Sequence, residues 1–190
     1  MKEANPKRAV VIVEDPETIR LLADVTRAEI LRLLGERAMT ETQLAEELGL
    51  TKAAVGYHLH LLAKAGLISI SKVEAEEHGI LQKYYTVTAA MFIVDPDRMP
   101  EDTKRYFLRA QIEHLRGMLA VFKFYDKISE ISSEIIEKLA KEMLKQLKIV
   151  GQRYVDSETS EDVGLLKVEI YAEALAAIIK QRKWCKLFTS

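Results

Sequence analysis

Residues 40–70 read TETQLAEELGLTKAAVGYHLHLLAKAGLISI. Thr40 and Gln43 have the spacing of a capping box, Met39 can staple to Leu44, and Gly49 stands where a left-handed C′ residue closes a helix of about two turns. Leu50, Thr51 and Val55 then repeat the opening as N′, N-cap and N4, and a second helix carries Leu59 and Leu62 until Gly66. Two short helices joined by Gly49, Leu50 and Thr51 are a helix-turn-helix layout. Past Gly66 the apolar period changes from about 3.6 to 2. Leu67 to Val73 reads as a strand, Glu74 to Gly79 as a polar turn, and Ile80 to Val87 as the hairpin partner, which makes a wing directly behind the second helix.

Upstream, Arg8 to Val13 reads as an edge strand, and Asp15 before Pro16 marks a helix start whose apolar positions include Ile19 and Leu22. Thr26 and Glu29 have the spacing of another capping box, opening a helix through Ile30, Leu31 and Leu34 to Gly35. Downstream, Asp95, Pro96, Asp97 and Pro100 mark a boundary. Three helices are expected beyond it, at about 101–125, 129–154 and 160–183. The predicted fold is therefore mainly α with a small β-hairpin: a winged helix-turn-helix over 1–94, followed by a three-helix extension over 95–190 that is expected to dimerise and is open to a sensing role.

Composition narrows the functional classes. The chain has 190 residues, 48% hydrophobic and 30% charged, with eight Gly and four Pro, as a packed helical protein would. The single cysteine, Cys185, excludes an internal disulfide framework and multi-cysteine zinc patterns. No apolar run reaches the roughly 18–20 residues that span a bilayer, and the first residues lack a signal-peptide core, so a cytoplasmic protein with no membrane partner is expected. Asn occurs once, at Asn5, beside abundant Glu, Lys and Ile, a bias that leans toward a thermophile.

The stretch from Ala23 to Tyr85 resembles the ArsR-like winged-helix regulators, in particular archaeal members with a helical C-terminal extension. The resemblance rests on Asp24, Thr26, Arg27, Ile30, Leu31 and Leu34, on Leu44, Ala45 and Leu48, and on the run from Val55 through His58, Leu59, Leu62, Ala65 and Gly66 to Ile68, closed by Tyr84 and Tyr85. It covers about a third of the chain. It implies a homodimer that binds double-stranded DNA at an inverted repeat through the helix capped by Thr51, with Lys52, Ala53, Gly56, Tyr57, His60 and Lys64 outward and Lys72 and Lys83 on the wing. Helical spacing agrees, since Ala53, Gly56, Tyr57, His60 and Lys64 recur at three and four residues opposite the stripe of Val55, Leu59 and Leu62. Small Ala53 and Gly56 would let the backbone approach the bases, while Tyr57 and His60 can contact base edges.

Family wings often carry arginines, whereas this one reads Glu74, Ala75, Glu76, Glu77, His78. The formal net charge is −1, and residues 1–94 hold 11 Lys and Arg against 13 Asp and Glu. Electrostatic attraction to phosphates is accordingly modest, and a dimer that doubles each contact is the remedy. The expected interface draws on Phe107, Leu115, Met118, Phe122, Leu175 and Ile179 of the extension, with Ile19 and Leu22 joining from the first helix as the family implies. The competing arrangement is a monomer whose extension closes over the winged helix.

No cofactor or metal is implied. His58 and His60 lie about 200° apart on a helix and cannot share an ion, and His114 has only Glu113 beside it. His58 reads as a packing residue, His114 as helix surface and Cys185 as a lone terminal thiol. No phosphate loop or nucleophile–base set appears, so an enzyme is not expected. The alternative function is a protein-interaction adaptor that does not read DNA, a role that the acidic wing would suit. The sequence leaves any small-molecule effector open.

Overall fold

The computed structural model describes residues 8–75, 81–124, 128, 131–158 and 163–188, apart from the side chains of residues 185 and 186. In chain order they form β1 (Arg8–Val13), α1 (Pro16–Leu22), α2 (Val25–Glu36), β2 (Met39–Thr40), α3 (Glu41–Leu48), α4 (Lys52–Lys64), β3 (Ile68–Ala75), β4 (Leu81–Val87) and β5 (Ala89–Val94). The extension follows as α5 (Glu101–Phe124), α6 (Ser133–Gly151) with a single 3-10 turn after it, α7 (Val163–Ile179) and α8 (Arg182–Phe188).

Capping chemistry sets most boundaries. The Asp15 carboxylate accepts from the Thr18 N–H at 2.8 Å, with Pro16 opening α1. Both arms of the Thr40 box form, Gln43 N–H to the Thr40 hydroxyl at 3.2 Å and Thr40 N–H to the Gln43 carbonyl at 2.9 Å. Gly49 closes α3 at φ 63°, a left-handed conformation that costs an L side chain strain. The Thr51 hydroxyl accepts from Ala54 N–H at 3.2 Å. One cap differs from expectation. Helix α2 starts at Val25 under Asp24, whose carboxylate accepts from Arg27 N–H at 2.9 Å. The Arg27 guanidinium turns back to donate to the Leu21 carbonyl at 2.6 Å, fixing the α1–α2 corner. An ionised acceptor two residues earlier outcompetes the Thr26 hydroxyl for the first free N–H groups.

The wing is an antiparallel sheet in the order β2-β4-β3, with a bulge between Ile70 and Lys72. The edge strand expected over Arg8 to Val13 forms, and its partner is β5, in parallel register from Arg8 opposite Ala89 to Val13 opposite Val94. Sequence reading missed β5 because AAMFIV is apolar throughout and has no alternation.

These pairings place the cores. Ile30, Leu34, Leu44, Val55, Leu59 and Leu62 fill the winged helix. A larger core holds Leu115, Leu139, Met143, Ile170 and Ile178 of the extension together with Val10, Ala90 and Ile93 of the two-stranded sheet. Helix α6 reaches that sheet at Gly151, where an added Cβ would collide with the Ile93 side chain. Apolar packing thus crosses the division expected at 94/95. Polar clamps cross it as well: Lys148 pairs with buried Asp95 at 2.8 Å, and Arg20 with Asp102 at 3.0 Å.

The extension differs from the three-helix expectation in adding α8 after a break at Lys180 and Gln181. The packing also revises the expected dimer residues. Ile19, Leu115 and Leu175 are buried inside the protomer and are core side chains, unavailable to a partner. Leu22, Phe107, Met118, Phe122 and Ile179 are half-buried. Phe122 lies against Phe188 at 5.8 Å between ring centroids and Phe107 against Tyr106 at 5.3 Å, so both rings are partly used within the chain.

Candidate nucleic-acid interface

Helix α4 is anchored through Val55, Leu59 and Leu62, all buried against the winged-helix core. That orientation leaves Lys52, Ala53, Tyr57, His60 and Lys64 exposed on the far side. Tyr57 is the most prominent, 62% exposed and braced edge-on by His58 at 5.6 Å between ring centroids. His58 is half-buried and its Nδ1 has no partner among the described residues, in keeping with a packing role.

Gly56 departs from its expected place in the outward row. It is half-buried where α4 crosses the start of α3, and a Cβ built there would stand 3.0 Å from the Glu41 carboxylate. The missing side chain makes room for Glu41, because position 56 follows buried Val55 by only 100° around the helix. Glu41, Lys52, Lys83 and Tyr85 line one shallow hollow between α3, the start of α4 and β4. Sequence reading missed Glu41 because nothing in the spacing shows that α3 and the wing converge there.

Lys72 sits on the wing with its ammonium 4.1 Å above the Tyr84 ring and 2.7 Å from the Glu74 carboxylate. The bond from Lys72 is the largest cause holding the Glu74 carboxyl below the usual carboxylate range, with Tyr84 adding to it. One of the two wing cations is thus already matched by an acid. Lys83 is exposed on β4 opposite Val73. The tip residues Glu76, Glu77 and His78 lie outside the described residues.

His114 is exposed on α5, as expected, and its Nδ1 lies 3.2 Å from the Tyr171 hydroxyl of α7. Among the described residues no group of three or more His, Cys, Asp or Glu side chains is placed to hold a metal ion. No described helix is long and apolar enough to cross a membrane.

Residues 22–70 match the model of a helix-turn-helix domain family. With the β2-β4-β3 sheet behind α4, the matched segment and its hairpin form a winged helix-turn-helix. No curated protein matches the sequence. Among solved structures it is similar to reduced HlyU from Vibrio cholerae, at 24% identity over 53% of this chain and 83% of that one, TM-score 0.34. A Mycobacterium bovis fragment described as a homodimeric winged helix-turn-helix DNA-binding domain is 22% identical over 51% of this chain and 74% of its own, TM-score 0.32. The adhesin competence repressor AdcR from Streptococcus pyogenes is 21% identical over 66% of this chain and 84% of its own, TM-score 0.30.

Proposed function

We propose that this protein is a homodimeric transcriptional regulator that binds duplex DNA at an inverted repeat, with α4 of each subunit in the major groove and the wing along the backbone. The observation that carries the reading is the outer face of α4, where Lys52, Ala53, Tyr57, His60 and Lys64 stand exposed on a helix locked from behind. A rigid helix with two cations flanking a tyrosine and a histidine suits phosphate anchoring and base-edge contact together.

The charge supports dimerisation. With a net charge of −1 and Lys72 engaged by Glu74, one subunit offers few free cations to phosphates. The interface we assign is the apolar face shared by α5 and α7, where Met118, Val168 and Ala172 line one shallow surface and Val121 and Val168 are 59% and 64% exposed. A subunit that carries such a face hides it by pairing.

Gel-shift titration and sedimentation equilibrium test this together. The wild type should sediment as two chains and shift duplex DNA, while Val121→Glu with Val168→Glu should sediment as one chain and bind DNA far more weakly. A wild type that sediments as one chain would refute the dimer. Failure to retain any duplex at low salt would favour a protein-interaction adaptor instead.

A further inference from the structure

A crevice of about 450 Å³ between α2, β5, α5 and α7 joins the winged helix to the extension. A narrower arm of about 200 Å³ continues it between β5 and α5 toward α6, the two sharing Phe92, Phe107, His114 and Tyr171 as walls. These volumes are of the order of small-molecule sites, which are apolar with a few placed polar groups.

Three features separate this crevice from a packing defect. First, Gln111 on the arm is only 3% exposed, yet its amide Nε2 has no hydrogen-bond partner among the described residues. A buried donor left unpaired is costly and calls for an acceptor. Second, Gly35 lines the crevice from α2, and a Cβ added there meets nothing within 4 Å. No neighbour requires that glycine, and its small size keeps the space open. Third, two cations stand at the mouth. Arg32 is engaged by Glu29 and Glu36, whereas exposed Lys167 takes part in none of the ion pairs among the described residues.

We propose that the crevice is a binding site for a small apolar monocarboxylate, its chain against Leu31, Phe92 and Phe107, its carboxylate accepting from Gln111 Nε2, and Lys167 supplying the opposite charge. Lys167, which donates and cannot accept, favours an anion over a cation, Gln111 Nε2 offers that anion a buried donor, and the apolar walls select a chain or ring over phosphate. Burial pushes the Tyr171 hydroxyl up to about 12, so it stays neutral beside His114 and adds no competing negative charge. Because α2 belongs to the winged helix and α5 and α7 to the extension, occupancy would bias how the two are set against each other. That consequence rests on the DNA-binding reading, and uptake of the carboxylate does not.

The probe is decanoate, titrated calorimetrically into the full chain below its micelle concentration, beside decanol and decylamine. The expected result is saturable uptake of one decanoate per chain, weakened roughly tenfold by Lys167→Gln while decanol is unaffected. Gly35→Leu should abolish uptake by filling the crevice. Gln111→Leu should weaken uptake while leaving the unliganded protein at least as heat-stable, since it removes an unpaired buried donor. No uptake by the wild type, decylamine bound as tightly as decanoate, or undiminished uptake in Gly35→Leu would each overturn the proposal. Dissociation of the Gly35→Leu dimer with no decanoate uptake by the wild type would also overturn it, and would assign the crevice to a second subunit.

Discussion

Gly56→Ala separates two accounts of the same residue. If Gly56 faced the bases, a methyl there would hold the backbone away from DNA. In the structure the methyl meets Glu41 instead, at 3.0 Å from Oε1 and 3.3 Å from Cδ. Replacing glycine by alanine inside a helix gains about 1 kcal/mol. Against this stands the displacement of one carboxylate by a few tenths of an ångström. Glu41 is half-buried, makes no ion pair among the described residues, and presents the far end of a flexible side chain, so that displacement costs about 0.5 kcal/mol, the low end for an off-rotamer side chain. The net is a gain of roughly 0.5 kcal/mol, or about 1–2 °C in melting temperature for a chain of this size. Circular dichroism melts and a gel shift on the same preparation read both quantities. The expected outcome is a slightly raised melting temperature with unchanged DNA affinity. A lowered melting temperature would mean that Glu41 is held in place, and a stable variant with strongly weakened binding would return Gly56 to the DNA face.

Glu74→Gln should release Lys72 toward phosphate, tightening binding to any duplex at low salt and steepening the dependence of log affinity on log salt by up to about one unit per subunit; a weaker complex would show that Glu74 itself contacts DNA. Lys148→Met should destabilise the fold by about 3 kcal/mol in chemical denaturation at neutral pH, the low end for a broken buried pair because Lys148 is still 25% exposed. Burial raises the Asp95 carboxyl, but the bonds from Lys148 and from Asp97 N–H outweigh it and hold the group below the usual carboxylate range. A carboxyl lowered on folding stabilises above its unfolded value of about 3.9 and loses that contribution as pH falls through the folded value. The deficit of Lys148→Met should accordingly shrink on acidification below about pH 4, and a deficit independent of pH would refute the pairing.

The helix-turn-helix was legible because its boundaries are written in short-range chemistry. The Thr40 box, Gly49 and the Thr51 cap each need only neighbours within four residues, and all three form. Thr26 misled for the same reason, since a hydroxyl box is visible in sequence while the advantage of the Asp24 carboxylate depends on how α1 turns into α2. Nothing local could show that β5 pairs with β1 across most of the winged helix, and with that pairing unseen the boundary at 94/95 looked like the edge of a domain. Periodicity marked Leu115 and Leu175 as apolar but not which helix covers them, so core residues were taken for interface residues. The outward row of α4 was readable except at Gly56, whose surroundings are set by the α3 crossing.

The central claim, that α4 of a dimer reads DNA, is tested most directly by selecting duplexes from a random pool with the purified full chain, wild type beside Tyr57→Ala. The account predicts that the wild type enriches an inverted repeat with half-sites about one helical turn apart, ~34–36 Å between centres. It predicts that Tyr57→Ala loses preference at one base pair in each half-site, at a cost of about 1–3 kcal/mol per contact. Enrichment of no sequence by the wild type, or of the same site with undiminished preference by Tyr57→Ala, would contradict it.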